Sequence, residues 1–242
     1  MAPPIRRFTR VAVVQMAYHP ATLLGRRSPL EDPLFELGKT DSLMPESGVV
    51  PRELESRLRD LRRRIREAYD DQILKRVQVV LTTCRTWNVE IIVFPEYSIP
   101  WEILGGIVDS AGPMVVVAGT HSVERDARNS GVYQKLGCEQ LPGLGTAVCP
   151  VLHQGRLLTL QPKLNPAQLE VGSMQPGQTW HPVPLPPSIP GPLGVMICLD
   201  FLYREGERHR GLVGPGLEQC RFLAVPSLTP HFTIPEFTSK AW

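Results

Sequence analysis

The sequence predicts a layered α/β domain, and three observations carry that prediction. Short apolar runs of strand length recur at residues 11–16, 91–94, 114–118, 194–198 and 222–227. A long stretch of apolar residues at helical spacing separates the first two runs. Residues 145–153 and 157–160 then read as paired strands turned by Gly155. Strands alternating with helices early in the chain, followed by hairpins, favour a layered α/β domain over an all-α or all-β one.

Each element has its own local warrant. Val11-Ala12-Val13-Val14-Gln15-Met16 follows a basic lead-in and reads as a first, buried strand. Residues 18–51 carry Pro20, Pro29, Pro33, Pro45 and several glycines. Loops of that length are lids, binding loops or disordered insertions, and the sequence leaves the choice open. From Pro51, a residue suited to a first helical turn, Leu54, Leu58, Leu61, Ile65, Tyr69, Ile73, Val77, Leu81 and Cys84 recur on one face. The helix is expected to end at Trp87-Asn88, before the strand at 91–94. A short amphipathic piece at 101–108 and a strand at 114–118 follow. Residues 180–192 are proline-rich, and a rigid extended connection into the next strand fits them better than a PxxP ligand.

Composition narrows the function classes. The chain has 242 residues, 42% hydrophobic and 21% charged, which is enough for one domain with a substantial core. A formal charge of +2 calls for neither nucleic acid nor an anionic membrane as partner. The arginines between 57 and 66 alternate with Asp60 and flanking glutamates, so they read as a solvated helix face. Five cysteines without CxxC spacing argue against a disulfide framework or a zinc site, and the histidines show no metal-ligand spacing. With no signal-like N-terminus and no apolar stretch of membrane length, a cytoplasmic protein is expected.

Three of the apolar runs end in a reactive side chain. Ile91-Ile92-Val93-Phe94-Pro95-Glu96 stops at a carboxylate, and Leu158-Thr159-Leu160-Gln161-Pro162-Lys163 at an amine. Gly194-Val195-Met196-Ile197-Cys198-Leu199-Asp200 stops at a thiol. Taken singly, Cys198 reads as a small buried hydrophobe, Glu96 as a turn residue and Lys163 as a surface lysine. Together they suit acyl transfer: a base for the thiol, a cation for the oxyanion, and a nucleophile. Asp200 is also suited to capping a following helix.

In this order the motifs resemble the carbon–nitrogen hydrolase (nitrilase/amidase) superfamily. The matching text is VAVVQM at Val11, IIVFPEY around Glu96, GRLLTLQPK up to Lys163 and GVMICLDF around Cys198. Glu170, seven residues after Lys163, and Pro176-Gly177 add weaker marks. The resemblance covers residues 10–227 and implies a four-layer α-β-β-α sandwich formed by a single domain over residues 1–242. It implies a Glu96–Lys163–Cys198 triad acting through a thioester on a small-molecule amide, without cofactor or metal. The Leu199 N–H would join Lys163 at the oxyanion, and Glu170 would orient either the substrate or Lys163. Leu199-Asp200 after the cysteine is closer to the amidase-like branches than to nitrilases. The family also implies a homo-oligomer. Because family domains continue with further strands, the end at Trp242 suggests a fragment of a longer chain or a reorganised C-terminal part. The rival expectation is a non-catalytic or regulatory binding module. Whether water or an amine accepts the acyl group stays open.

Overall fold

A computed structural model of the chain describes residues 8–16, 52–167, 170–171, 174–202 and 216–228. The insertion at 18–51 and the stretch from 229 to Trp242 lie outside the described residues, so neither expectation about them meets the structure.

The described elements run β1 (Val11–Val13), α1 (Arg52–Thr86), β2 (Ile91–Phe94), α2 (Leu104–Ala111), β3 (Val115–Ala118), β4 (His121–Ser122), α3 (Arg125–Asn129) and α4 (Val132–Lys135). They continue with β5 (Ala147–His153), β6 (Arg156–Pro162), β7 (Leu193–Val195), α5 (Leu199–Leu202) and β8 (Phe222–Ala224). A 3-10 turn, Trp101–Ile103, leads into α2.

Strands β1, β2 and β3 pair in parallel, while β3–β5, β4–β5 and β5–β6 are antiparallel, giving a mixed six-stranded sheet. Strand β6 takes one whole edge of β5, so β3 and β4 must share the other. Gln154 and Gly155 turn the β5–β6 hairpin with φ of 45° and 83°. Positive φ at both central residues matches the twist of the flanking strands.

Alternation along the strands sorts the core into layers. Ile92, Phe94, Val116, Ala118, Val148 and Leu152 face a helical layer that includes Ile73, Val77 and Leu81 of α1 and Leu104 and Ile107 of α2. Ile91, Val93, Val115, Val117, Cys149 and Val151 face the other way, onto Val195, Ile197 and Ala224. The latter belong to a second sheet in which β7 pairs in parallel with β8. On the far side of that sheet, Met196 packs with Phe201 and Leu202 of α5, and with Trp180 and Leu164. The described residues thus build a mixed α/β arrangement of helices, sheet and second sheet, with the short α5 and the segments carrying Leu164, Trp180 and Leu217 behind it.

Two departures from the sequence pattern have physical reasons. Strand β1 is expected to be buried, yet Val11 and Val13 are 47% and 76% exposed. Their register partners are Ile91 and Val93, so they point between the sheets, where β7 and β8 cover β2 but not β1. Helix α1 starts where Pro51 suggests, and its apolar stripe is buried at Ile73, Val77, Leu81 and Cys84, while Leu54 and Leu61 are exposed. Its exposed face carries ion pairs, Arg63–Asp60 at 2.6 Å, Arg63–Glu67 at 3.1 Å and Lys75–Asp71 at 2.7 Å. No helix among the described residues is long and apolar enough to cross a membrane.

Candidate active site

Glu96 sits in a turn just past β2. Ser98 closes that turn, its N–H and its hydroxyl both donating to the Pro95 carbonyl at 3.3 and 2.6 Å. The register Phe94–Ala118 sets the ends of β2 and β3 side by side. Gly119, with φ of 60°, therefore lies against the turn, where an added Cβ would come within 2.2 Å of the Pro95 carbonyl oxygen. Tyr97 has φ of 56°, and its N–H donates to Thr120 Oγ1 at 2.9 Å. The turn aims Glu96 inward, where it is buried.

Lys163 follows β6. Its N–H donates to the Ala147 carbonyl and its own carbonyl accepts from the Gly177 N–H, both at 2.8 Å. Gly177 is required by space, since a Cβ there would meet Pro162 Cβ at 2.5 Å. The Lys163 ammonium is 1% exposed and donates to Glu96 Oε1 at 2.7 Å and to Glu170 Oε1 and Oε2 at 2.8 and 2.6 Å. Glu170 also accepts from the Tyr97 hydroxyl and the Ala167 N–H. Both of its oxygens are therefore bound by donors. That leaves it suited to holding Lys163 in place rather than to carrying protons.

Cys198 lies just beyond β7. The N–H of Met196 donates to Ala224 O and the N–H of Cys198 to Pro226 O, both at 2.9 Å. Cys198 has φ of 51°, a left-handed conformation sparsely populated by non-glycine residues. The chain enters α5 at Leu199, so the turn presents the sulfur at the start of a helix.

Asp200 does more than the expected capping. Its carboxylate accepts from Leu164 N–H at 3.1 and 3.2 Å, Asn165 N–H at 2.7 Å, Asn165 Nδ2 at 3.0 Å and Ile197 N–H at 3.4 Å. One buried carboxylate thus ties the residues after Lys163 to the residue before Cys198. The sequence spacing marks Asp200 as polar in an apolar context, but the bond to a segment 35 residues away is not readable from it. Tyr97 and the Leu228 N–H, which donates to Glu96 Oε2 at 3.0 Å, are likewise absent from the sequence reading.

The electrostatics follow from burial. Burial raises the Glu96 carboxyl above the usual range, Lys163 opposes that rise and Glu170 adds to it. Burial alone would lower the Lys163 ammonium, but the Glu96 and Glu170 charges outweigh it and hold the ammonium above its ordinary value. The Cys198 thiol is pushed up to about 12 by burial and by Glu96, with Lys163 pulling the other way. Burial lifts Asp200 to about 7 against the pull of its N–H donors. Burial also raises the Tyr97 hydroxyl, reinforced by Glu170 and Glu96. Glu96, Lys163 and Glu170 are in direct contact, and the charges of Glu96 and Lys163 both act on the Cys198 thiol. Of the other cysteines, Cys84 and Cys149 are buried and Cys138 and Cys220 half-buried. Among the described residues no group of three or more His, Cys, Asp or Glu side chains could hold a metal ion.

No family model matches the chain, and no curated protein matches it. Solved structures do. A glutamine-dependent NAD+ synthetase from Acinetobacter baumannii has a TM-score of 0.47 at 15% identity, over 67% of this chain and 30% of that one. A carbon–nitrogen hydrolase from Helicobacter pylori G27 has a TM-score of 0.44 at 17% identity, over 65% and 55%. An amidase from Nesterenkonia sp. has a TM-score of 0.46 at 15% identity, over 68% and 62%. The chain spans less than two thirds of each of these three proteins. Its structural neighbours therefore include a carbon–nitrogen hydrolase and an amidase.

Proposed function

We propose that the chain is a hydrolase of non-peptide C–N bonds working through a thioester on Cys198. The observation that carries this reading is the buried Lys163 ammonium held between Glu96 and Glu170, and a thiol on a left-handed turn supports it by feeling the charges of Lys163 and Glu96. Keeping one cation and two carboxylates out of water is costly, and such clusters concentrate where chemistry needs them.

In the proposed reaction Glu96 accepts the thiol proton and the sulfur attacks the amide carbonyl carbon, forming a C–S bond. The carbonyl oxygen becomes an oxyanion, and Lys163 and the Leu199 N–H offset its charge. Glu96 returns the proton to the leaving amine as the C–N bond breaks. Water then attacks the thioester, giving its proton to Glu96. The carboxylic acid leaves and the thiol is restored. Glu170 and Tyr97 keep Lys163 in register, and Asp200 keeps the lysine and cysteine segments together. No metal takes part, so chelation is expected to leave turnover unchanged.

The four-layer sandwich, a homo-oligomer or a place in a longer chain, and a cytoplasmic setting belong to the same proposal. The experiment is a screen of small amides for released ammonia, run on the parent and on Cys198→Ala. Release that persists undiminished in Cys198→Ala would end the proposal. A covalent acyl adduct trapped on Cys198 would separate it from a purely binding role.

A further inference from the structure

Beyond β8 the chain passes directly through the site. Pro226 accepts the backbone N–H of Cys198 at 2.9 Å, and Leu228 donates its N–H to Glu96 Oε2 at 3.0 Å. Ser227 stands between them, bracketed by one residue bound to the thiol's backbone and one bound to the carboxylate. Its hydroxyl oxygen is buried and has no hydrogen-bond partner among the described residues. A buried hydroxyl left unpaired costs about 1–3 kcal/mol, so a site that keeps one invites the question of when it is used. The hydroxyl lies close enough to the Cys198 sulfur to favour its ionised form. A serine hydrogen rotates freely about the C–O bond, so it can turn toward charge as charge appears.

The surrounding charges show what is lacking. The sulfur faces Glu96 and Tyr97 from the turn after β2, and Lys163 from the end of β6. Asp200, on the helix that follows the sulfur, is occupied by Leu164, Asn165 and Ile197. Glu96 opposes a second negative charge beside it. Lys163 favours one, but its hydrogen bonds are committed to two carboxylates. A neutral rotor next to the sulfur supplies a donor without adding charge to the cluster.

We propose that Ser227 is a further catalytic residue, whose hydroxyl donates a hydrogen bond to the Cys198 sulfur as the proton leaves it. The proposal rests on Cys198 being the nucleophile. It does not depend on which amide is the substrate.

The test is the rate of alkylation of the full chain by iodoacetamide over roughly pH 6 to 10, where the rate follows the small thiolate fraction of a thiol raised to about 12. Mass spectrometry of the Cys198 peptide separates its reaction from those of the other four cysteines. S227A is expected to react about tenfold more slowly near pH 8, with its profile moved to higher pH, as follows from losing one hydrogen bond to a charged group. S227T keeps the hydroxyl and is expected to stay within about twofold of the parent on the same ground. Urea midpoints of all three proteins show whether each is folded. Superimposed profiles for S227A and the parent would overturn the proposal, and so would a slowed S227A that S227T fails to restore. Failure of the nucleophile reading looks different: the parent's own Cys198 would stay unalkylated at every pH, which would end both.

Discussion

Replacing Lys163 by methionine keeps the length of the side chain and removes the ammonium. In the parent, that ammonium is 1% exposed and within 2.6–2.8 Å of three carboxylate oxygens on Glu96 and Glu170. Removing one partner of a buried ion pair costs about 3–5 kcal/mol, a large share of the roughly 5–15 kcal/mol that a domain has in total. Protonation limits the damage. Without the cation that opposes its rise, the buried Glu96 carboxyl binds its proton more tightly in the folded state than in the unfolded one, so the variant is penalised more as pH rises above the ordinary carboxylate range. In the parent the lysine contribution has the same sign but a higher pH window. Its Lys163 is raised above the ordinary value, so that contribution is complete at neutral pH and is lost only as pH climbs through the folded-state value. Urea unfolding of parent and variant at about pH 5 and pH 8 should therefore show a deficit that grows with pH and reaches about 3 kcal/mol at the higher value. A deficit below about 1 kcal/mol that is equal at both pH values would refute the buried cluster, because that is the behaviour of an exposed pair.

Other outcomes follow from the same geometry. Cys198→Ala should abolish ammonia release while its urea midpoint stays near the parent's, which separates a chemical from a structural role. Asp200→Asn should cut turnover more than it weakens substrate binding, since it loosens the tie between the Lys163 and Cys198 segments; a change in KM alone would count against that role. The same variant bears on pH. With the parent's Asp200 lifted to about 7, the folded state binds an extra proton between the ordinary carboxylate value and pH 7, so parent stability falls as pH rises through that window, and Asp200→Asn should lack that part of the slope. Gly119→Ala combines a positive φ with a 2.2 Å approach to the Pro95 carbonyl and should lose about 2–3 kcal/mol in thermal or urea unfolding.

The parts legible in the sequence are those fixed by local pattern. Period-3.6 spacing places α1 to within a residue, and the apolar runs ending at Phe94 and before Lys163 are strands β2 and β6. The alternation of β2 and β3 between two cores explains their unbroken apolar character, since both faces are buried. What the sequence conceals is set by distant partners. Strand β4 is two residues long and exists because β5 offers an edge beside β3. The exposure of Val13 depends on how far the second sheet extends. At the site, the turn-ending residues Glu96, Lys163 and Cys198 are marked by where apolar runs stop, and Glu170 only by the family resemblance. Tyr97 and Asp200 matter through hydrogen bonds spanning 73 and 35–36 residues, which no local pattern encodes.

The bond from the Leu228 amide to Glu96 joins residues 132 positions apart. Closing so large a loop is entropically late and cannot precede assembly of the strands in between. During refolding, the backbone ladders of the main sheet can be complete while the carboxylate still lacks this anchor. Helical signal should therefore recover before the thiol acquires its mature reactivity, making the sulfur a clock for the final closure of the chain.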